Sequence, residues 1–304
     1  MIKRNGEAWA TSQQAKNARL RALIQAPEIL VMPGVYDGFS AHLSEERGFL
    51  AGFITGSGLS EARFGRPDVG LMGLFENVDA CRTLASITSL PLIADGDTGY
   101  GNAVNVFHAT QAFEAAGVSG VMFEDQVWPK RCGHMAGKEL ISADEMVQKI
   151  RAAADARRDK NFIIKARTDA AGPIGIDAAI DRLNQYADAG ADLLFADAVL
   201  AAADIEKLVK GTSKPVSVNM GFGIRSRSTT PLLSAKQLED MGVAAVILPR
   251  MQTAAAIKGM QNAFDAYAES LASGKPLDRP DLLVGFEELN ALLGFNEVRE
   301  LEDR

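Results

Sequence analysis

A helical pattern that closes on a glycine and runs at once into a short apolar stretch recurs along this chain, and that repeat limits the fold more than any other feature. It appears at Arg47-Gly48-Phe49, Ala116-Gly117-Val118, Ala189-Gly190-Ala191 and Met241-Gly242-Val243. Glycine can end a helix in the left-handed conformation without steric penalty. The apolar stretches lack polar alternation, as strands buried on both faces of a parallel sheet do. Eight strands are predicted on this basis: Ile29–Pro33, Ala51–Thr55, Leu92–Asp95, Gly120–Glu124, Phe162–Arg167, Leu193–Ala196, Val216–Asn219 and Ala244–Leu248. Amphipathic helical patterns lie between them, clearest at Asn102–Ala116, Ser142–Arg157 and Asp177–Ala189, and Ser142 with Glu145 has the spacing of a capping box. Strict alternation of this kind predicts an α/β fold of the (β/α)8 TIM-barrel type rather than an open doubly wound sheet. No Gly-x-Gly-x-x-Gly follows the first strand, which also speaks against a dinucleotide-binding sheet.

The ends exceed what a minimal barrel needs. Residues 1–27 read as an N-terminal helical extension with Ala15–Ile24 as its core, 28–275 as the catalytic barrel, and 276–304 as a C-terminal extension. Pro276-Leu277-Asp278-Arg279-Pro280 breaks the chain, and Leu282–Asp303 is expected to form one or two helices. Both ends are expected to pack on a neighbouring subunit.

Composition narrows the class. Of the 304 residues, 47% are hydrophobic, enough for a large core. A net charge of −7, from 32 basic and 39 acidic residues, is not the basic footprint of a nucleic-acid protein. No apolar run approaches the ~20 residues that span a bilayer, and Met1-Ile2-Lys3-Arg4 leads into no signal-like apolar core. Two cysteines, Cys81 and Cys132, cannot build a disulfide framework. The expectation is a cytoplasmic enzyme acting on a small molecule, with neither nucleic acid nor membrane as partner.

In such a barrel the catalytic groups come from the C-terminal ends of the strands and the loops after them. Those ends are unusually polar here: Asp95-Gly96-Asp97, Glu124-Asp125, Arg167-Thr168-Asp169, Asp197, Asn219 and Arg250. Acids at successive strand ends converge on one mouth and repel one another, and a divalent cation relieves that repulsion. An oxygen-rich set without a histidine or cysteine cluster suits Mg²⁺ or Mn²⁺ rather than zinc.

A second cluster, Lys130-Arg131-Cys132-Gly133-His134, follows the fourth strand. Two cations and a histidine beside a thiol lower its pKa. Gly133 and Gly137 would let the loop move as a lid. Cys81, within a helical apolar pattern, reads as inert core, and His42 and His108 read as structural or exposed. Tyr36-Asp37 follows the first strand, where a phenol could reach the mouth, and Thr55-Gly56-Ser57-Gly58 follows the second, offering backbone N–H groups to an anion.

Pro33-Gly34-Val35-Tyr36-Asp37, Asp95-Gly96-Asp97-Thr98-Gly99-Tyr100-Gly101, Glu124-Asp125-Gln126 and Ala166-Arg167-Thr168-Asp169 together resemble the isocitrate lyase / phosphoenolpyruvate mutase superfamily. The match runs in order from about residue 30 to 250. The Lys-Arg-Cys-Gly-His loop is similar to the branch of 2-methylisocitrate lyase, 2,3-dimethylmalate lyase and oxaloacetate hydrolase. The resemblance implies a Mg²⁺-dependent homotetramer, a dimer of dimers that exchange their last barrel helix. It implies Asp95, Asp97 and Glu124 as holders of the metal, some through water. Thr55, Gly56 and Ser57 would bind the substrate carboxylate, Arg167 its oxygens, and Asn219 the leaving half. Cys132 would be the general acid, supported by Lys130, Gly133 and His134, with Tyr36 handling the hydroxyl proton.

The reaction so implied splits a 2-hydroxy di- or tricarboxylate into a 2-oxo acid and a carboxylic acid. The alternatives are hydrolysis of oxaloacetate to oxalate and acetate, phosphonate chemistry, and a catalytically silent binding protein. Two departures fall near the expected pocket of the leaving half. Asp197 stands where 2-methylisocitrate lyases usually carry glutamate, and Met220-Gly221-Phe222-Gly223-Ile224-Arg225-Ser226-Arg227 replaces their Thr-Glu-Phe-Gly stretch. They bear on the substrate, with Arg225 and Arg227 either contacting a carboxylate or lying on the surface, and leave the metal chemistry untouched.

Overall fold

The computed structural model describes residues 3–4, 7–8, 11–131, 137–223 and 230–303. Eight parallel strands close into a barrel: β1 (Leu30–Val35), β2 (Gly52–Ile54), β3 (Leu92–Asp95), β4 (Gly120–Glu124), β5 (Ile163–Thr168), β6 (Leu193–Ala196), β7 (Val216–Asn219) and β8 (Ala245–Leu248). Each predicted strand is present, with ends displaced by no more than two residues. Closure runs through β8 and β1, where Ala245, Val246, Ile247 and Leu248 pair in register with Leu30, Val31, Met32 and Pro33.

Two apolar layers account for this topology. One face of each strand points into the barrel, where Met32, Phe53, Ile93, Met122, Ile163, Phe195 and Ile247 form a single cluster. The other face packs outward against the helices, through residues such as Val35, Ile54, Ala94, Phe123, Ile164 and Leu194. Both faces are therefore buried, which is why the strands read as continuous apolar runs.

Helix α1 (Gln13–Gln25) plugs the N-terminal end of the barrel, its Leu20 and Ile24 joining the inner cluster. Ser12 caps it by accepting from Ala15 N at 3.2 Å. Lys16 Nζ donates to Ala85 O and Thr88 O at 3.1 and 2.7 Å, at the C-terminal end of the helix Leu74–Ile87. Such carbonyls lack partners within their own helix and attract a cation. The reading of residues 1–27 as helical is corrected ahead of α1, where Lys3–Arg4 pairs antiparallel with Glu7–Ala8.

Between the strands, the clearest helical patterns appear as Ala103–Ala115, Ala143–Ala156 and Ile176–Asp188. The Ser142 side chain accepts from Glu145 N at 3.1 Å, so half of the expected capping box forms. Glu145 lies 4.0 Å from Lys149. After β8, a long helix Met251–Ser273 ends on left-handed Gly274, and two short helices, Phe286–Leu292 and Phe295–Glu302, follow. Phe264, Leu271, Phe286 and Val298 are exposed along these elements. Among the described residues no helix is long and apolar enough to cross a membrane.

One glycine is indispensable to closure. A Cβ on Gly34 would lie 2.5–2.8 Å from the backbone of Pro249, where β1 and the end of β8 meet. Backbone cannot yield as a side-chain tip does, so Gly34→Ala is expected to cost about 3 kcal/mol, near the upper end for overpacking. A fall in the urea midpoint at unchanged m-value checks it; an unchanged midpoint would show that the strands can separate at this point.

Candidate active site

The strand ends meet at the C-terminal mouth around a cavity of about 40 Å³ lined by Thr55, Ser57, Asp68, Asp95, Arg167, Asp197, Asn219 and Arg250, over a floor that includes Phe53, Met122, Phe195 and Ile247. Seven of the sequence-predicted residues thus share one wall: Thr55, Ser57, Asp95, Arg167, Asp197, Asn219 and Arg250.

The loop after β3 is stitched onto the end of β4. Gly96 N donates to Met122 O at 2.8 Å, and Glu124 N donates to Asp97 O at 2.9 Å. A Cβ on Gly96 would lie 2.7 Å from both Met122 O and the Phe123 ring, so only glycine fits. Asp97 and Tyr100 adopt left-handed φ values of 49° and 61°, unusual for residues with a Cβ and a mark of a backbone held by its surroundings. Asn77 supplies part of that hold from the helix below, donating to Asp95 O at 2.7 Å and to Tyr100 Oη at 2.8 Å.

Arg167 is saturated with carboxylates. Nε and Nη2 donate to the two oxygens of Asp169, each at 2.9 Å, Nη2 also to Asp197 at 2.7 Å, and Nη1 lies 3.1 Å from Glu124 Oε2. Burial alone would lower its pKa, but Asp169, Asp197 and Glu124 together hold it well above the usual value. Burial likewise works to raise Asp169, and is outweighed by Arg167 and by Lys138, 2.7 Å away, so Asp169 stays well below the ordinary carboxylate range.

Helix α3 (Gly56–Phe64), which follows α2 (Gly38–Glu46), begins at this mouth, with Thr55 as its N-cap and the Thr55 and Ser57 hydroxyls 2.9 Å apart. Backbone N–H groups at such an end, with the helix dipole behind them, favour an anion. Gly56 is required by the neighbouring acid, since a Cβ there would lie 2.9 Å from Asp95 Oδ2.

From the other side, the segment after β4 brings in Lys130, buried and ion-paired with Asp68 and, at 2.9 Å, with Asp97. Burial works to lower its pKa, and Asp97, Asp68 and Glu124 keep it well above the usual value. The loop's base is pinned by the Gln126–Leu140 bridge and by Val127 N donating to Glu139 O at 2.8 Å. The predicted roles of Cys132, Gly133 and His134 fall on residues outside those described, as do those of Arg225 and Arg227.

Other expected residues stand elsewhere. Tyr36 is half-buried at the end of β1, beside Gly58, and is not in the cavity wall. Burial and then Asp37 push its phenol above the usual value, so the ionised form that could accept a proton is scarce. Asp37 caps the helix Gly38–Glu46. Asp125, counted among the mouth acids from its position, points outward: it accepts from Thr168 Oγ1, Arg182 Nη1, Tyr186 Oη and Asp169 N at 2.6–3.0 Å. Successive strand residues alternate faces, so Glu124 and Asp125 cannot both face inward. Cys81 is buried, and burial raises its thiol pKa, in keeping with inert core.

Three residues that matter to this arrangement were not singled out from sequence. Asp68 lies in an irregular segment with no distinguishing pattern, and Asn77 is a lone amide inside a helical apolar face. Lys165 did leave a signal, a cation inside the apolar run of β5 two residues before Arg167.

Oxygen donors suit a hard divalent ion, and the acids of this mouth are short of cations. Glu124 Oε1 is buried without a hydrogen-bond partner. Burial pushes Asp97 up to about 6 and Glu124 well above the usual carboxylate range. A cation nearby restores their ionised forms. Among the described residues no three His, Cys, Asp or Glu side chains are grouped so as to hold a metal ion directly. The buried, cation-poor carboxylates of this mouth fit a hard divalent ion.

Known proteins resemble this chain in sequence and in fold. A family model described as phosphoenolpyruvate phosphomutase matches residues 20–268. The 2,3-dimethylmalate lyase of Eubacterium barkeri is 38% identical over 285 residues, 94% of this chain and 96% of that one. A probable 2-methylisocitrate lyase 2 of Corynebacterium glutamicum is 39% identical over 296 residues, 97% of this chain and 94% of that one. The structure of oxaloacetate acetylhydrolase in complex with 3,3-difluorooxalacetate superimposes with a TM-score of 0.87 at 29% identity, covering 95% of this chain and 97% of that one.

Removing the Asp125 carboxylate takes an acceptor from the buried Thr168 hydroxyl, the Tyr186 phenol and the Arg182 guanidinium at once. Asp125→Ala is expected to lower the unfolding free energy by about 3 kcal/mol, as breaking a buried ionic network does. Chemical denaturation measures this, and a loss within error of zero would mean that Asp125 does not brace β5.

Proposed function

This chain belongs to the isocitrate lyase / phosphoenolpyruvate mutase superfamily and is a carbon–carbon lyase, and from that premise we propose that it cleaves a 2-hydroxy di- or tricarboxylate of the 2-methylisocitrate or 2,3-dimethylmalate type. The products are a 2-oxo acid such as pyruvate and a carboxylic acid such as succinate. The observation that carries this reading is the single cavity wall joining Thr55 and Ser57, at the start of α3, to Asp95, Arg167, Asp197 and Asn219.

Asp95, Asp97 and Glu124 would hold a divalent metal, Mg²⁺ with Mn²⁺ as substitute, in part through its waters; when bound it would lower the pKa of the substrate hydroxyl and orient the bond to be broken. The start of α3, through Thr55, Gly56 and Ser57, takes the carboxylate next to that hydroxyl. Arg167 and Lys130 place fixed positive charge where the departing fragment gathers negative charge, in a water-poor site where such charge acts strongly. Asn219 orients the leaving half. Cys132 Sγ, with Gly133 and His134 beside it in sequence, delivers a proton to the carbon so released.

A second reading, hydrolysis of oxaloacetate to oxalate and acetate, is favoured by the close superposition on oxaloacetate acetylhydrolase. Asp197, one methylene shorter than glutamate and 2.7 Å from Arg167, shapes the part of the pocket where the two substrates differ. In the proposed assembly the exposed apolar residues of the last helices are covered by neighbouring chains in a homotetramer.

The test is a product screen with Mg²⁺ on 2-methylisocitrate, 2,3-dimethylmalate, isocitrate and oxaloacetate. Pyruvate from one of the hydroxy acids is the expected result. Oxalate from oxaloacetate alone moves the enzyme to the second reading, and no product from any of the four overturns both. Cys132→Ser is expected to leave Mn²⁺ affinity unchanged and to lower kcat by about 10²- to 10⁴-fold, the usual range for a lost general acid. A kcat within a factor of two of wild type removes Cys132 from the proton-donor role.

A further inference from the structure

Lys165 is a buried charge that the fold does not explain. The other buried lysines among the described residues have partners: Lys16 the carbonyls of Ala85 and Thr88, Lys149 Thr98 O at 3.1 Å, and Lys130 two aspartates. Lys165 is 0% exposed, and its Nζ has no hydrogen-bond partner. It projects inward from the middle of β5, in register with Met122 of β4 and Leu193 of β6. Its ammonium lies 5.0 Å from the Phe53 ring centroid and 4.6 Å from that of Phe195. Those rings come from β2 and β6, four strands apart in a ring of eight, so the ammonium stands near the barrel axis.

Both rings are floor residues of the cavity. Asp95 and Asp197 attract the ammonium and Arg167 repels it. Two aromatic faces compensate a desolvated ammonium only in part. Methionine would fill nearly the same space at no electrostatic cost, and replacing a buried charge by an apolar residue of like volume is commonly neutral or stabilising. Such a charge is a cost that activity, rather than folding, accounts for.

We propose that Lys165 is a positioning residue for the anionic ligand: its charge, on the barrel axis beneath the cavity floor, offsets the acids of the mouth so that a 2-oxo-acid or oxalate-like anion binds above it. The inference rests on the reading of the site as one for a carboxylate beside a divalent cation. An axial positive charge attracts the anion and repels the cation. Its removal therefore changes the two affinities in opposite directions, which damaged packing does not do.

The experiment compares the full-length wild type with Lys165→Met by calorimetric titration at pH 6.0, where Lys165 holds its proton, since burial pushes its pKa down only to about 7. Mn²⁺ is titrated first, then oxalate into the Mn²⁺-saturated protein. Oxalate is expected to bind about tenfold more weakly to the variant and Mn²⁺ several-fold more tightly, the size a unit charge has across a protein interior. The melting temperature should equal or exceed that of wild type. Lys165→Gln, neutral and hydrogen-bonding, must show the same two signs, and it decides the matter if the methionine variant does not fold. Unchanged affinities, or weakening of both ligands together, overturn the proposal. A wild type that takes up neither Mn²⁺ nor oxalate overturns the reading of the site itself, and Lys165 with it.

Discussion

The guanidinium of Arg167 is shared among carboxylates from three neighbouring strands: Glu124 at the end of β4, Asp169 just beyond β5 and Asp197 just beyond β6. Ions this deeply buried are tolerable only when paired, and breaking one such pair leaves an uncompensated charge. The network therefore couples the geometry of three strand ends, and nothing in the mouth can be repositioned without disturbing it. It also leaves one oxygen of Glu124, Oε1, buried without a hydrogen-bond partner.

The same charge arithmetic extends to the loop after β4. Lys130 reaches Asp68 and Asp97 on one side of the mouth, and Lys138 reaches Asp169 on the other. Two lysines flanking the Cys132 segment are thus anchored in the acids of the barrel. Asp68 and the nearby Gly70 belong to the segment after α3, and a Cβ on Gly70 would lie 2.9 Å from the Trp128 ring, so the two loops are in close contact. A site assembled from two loops and the ends of seven strands, β2 to β8, excludes water better than an open mouth, and charges placed there act in a less screened medium.

Much of this was legible in the chain. Short apolar runs separated by glycine-closed helices marked the strands to within two residues, because a strand buried on both faces has no reason to alternate. The acids and bases at the ends of those runs followed from the same pattern, and Thr55, Ser57, Asp95, Arg167, Asp197 and Asn219 do share one cavity wall. Asp125 did not: its neighbour Glu124 takes the inward position, and the period of two in a strand turns Asp125 to the helices. Tyr36 likewise sits at the right strand end without reaching the cavity wall.

What the sequence by itself determined is the set of local preferences: where helices stop, which runs must be buried, and which strand ends carry charge. Tertiary structure alone decided the partners. Asp68 meets Lys130 across 62 positions, Asn77 holds the backbone of Asp95 from the helix Leu74–Ile87, and Lys165 finds two phenyl rings and no acceptor. None of these follows from periodicity, because the energy of a buried charge depends on what the closed barrel brings within a few ångströms of it, and closure places strands four apart in order on opposite sides of one small cavity.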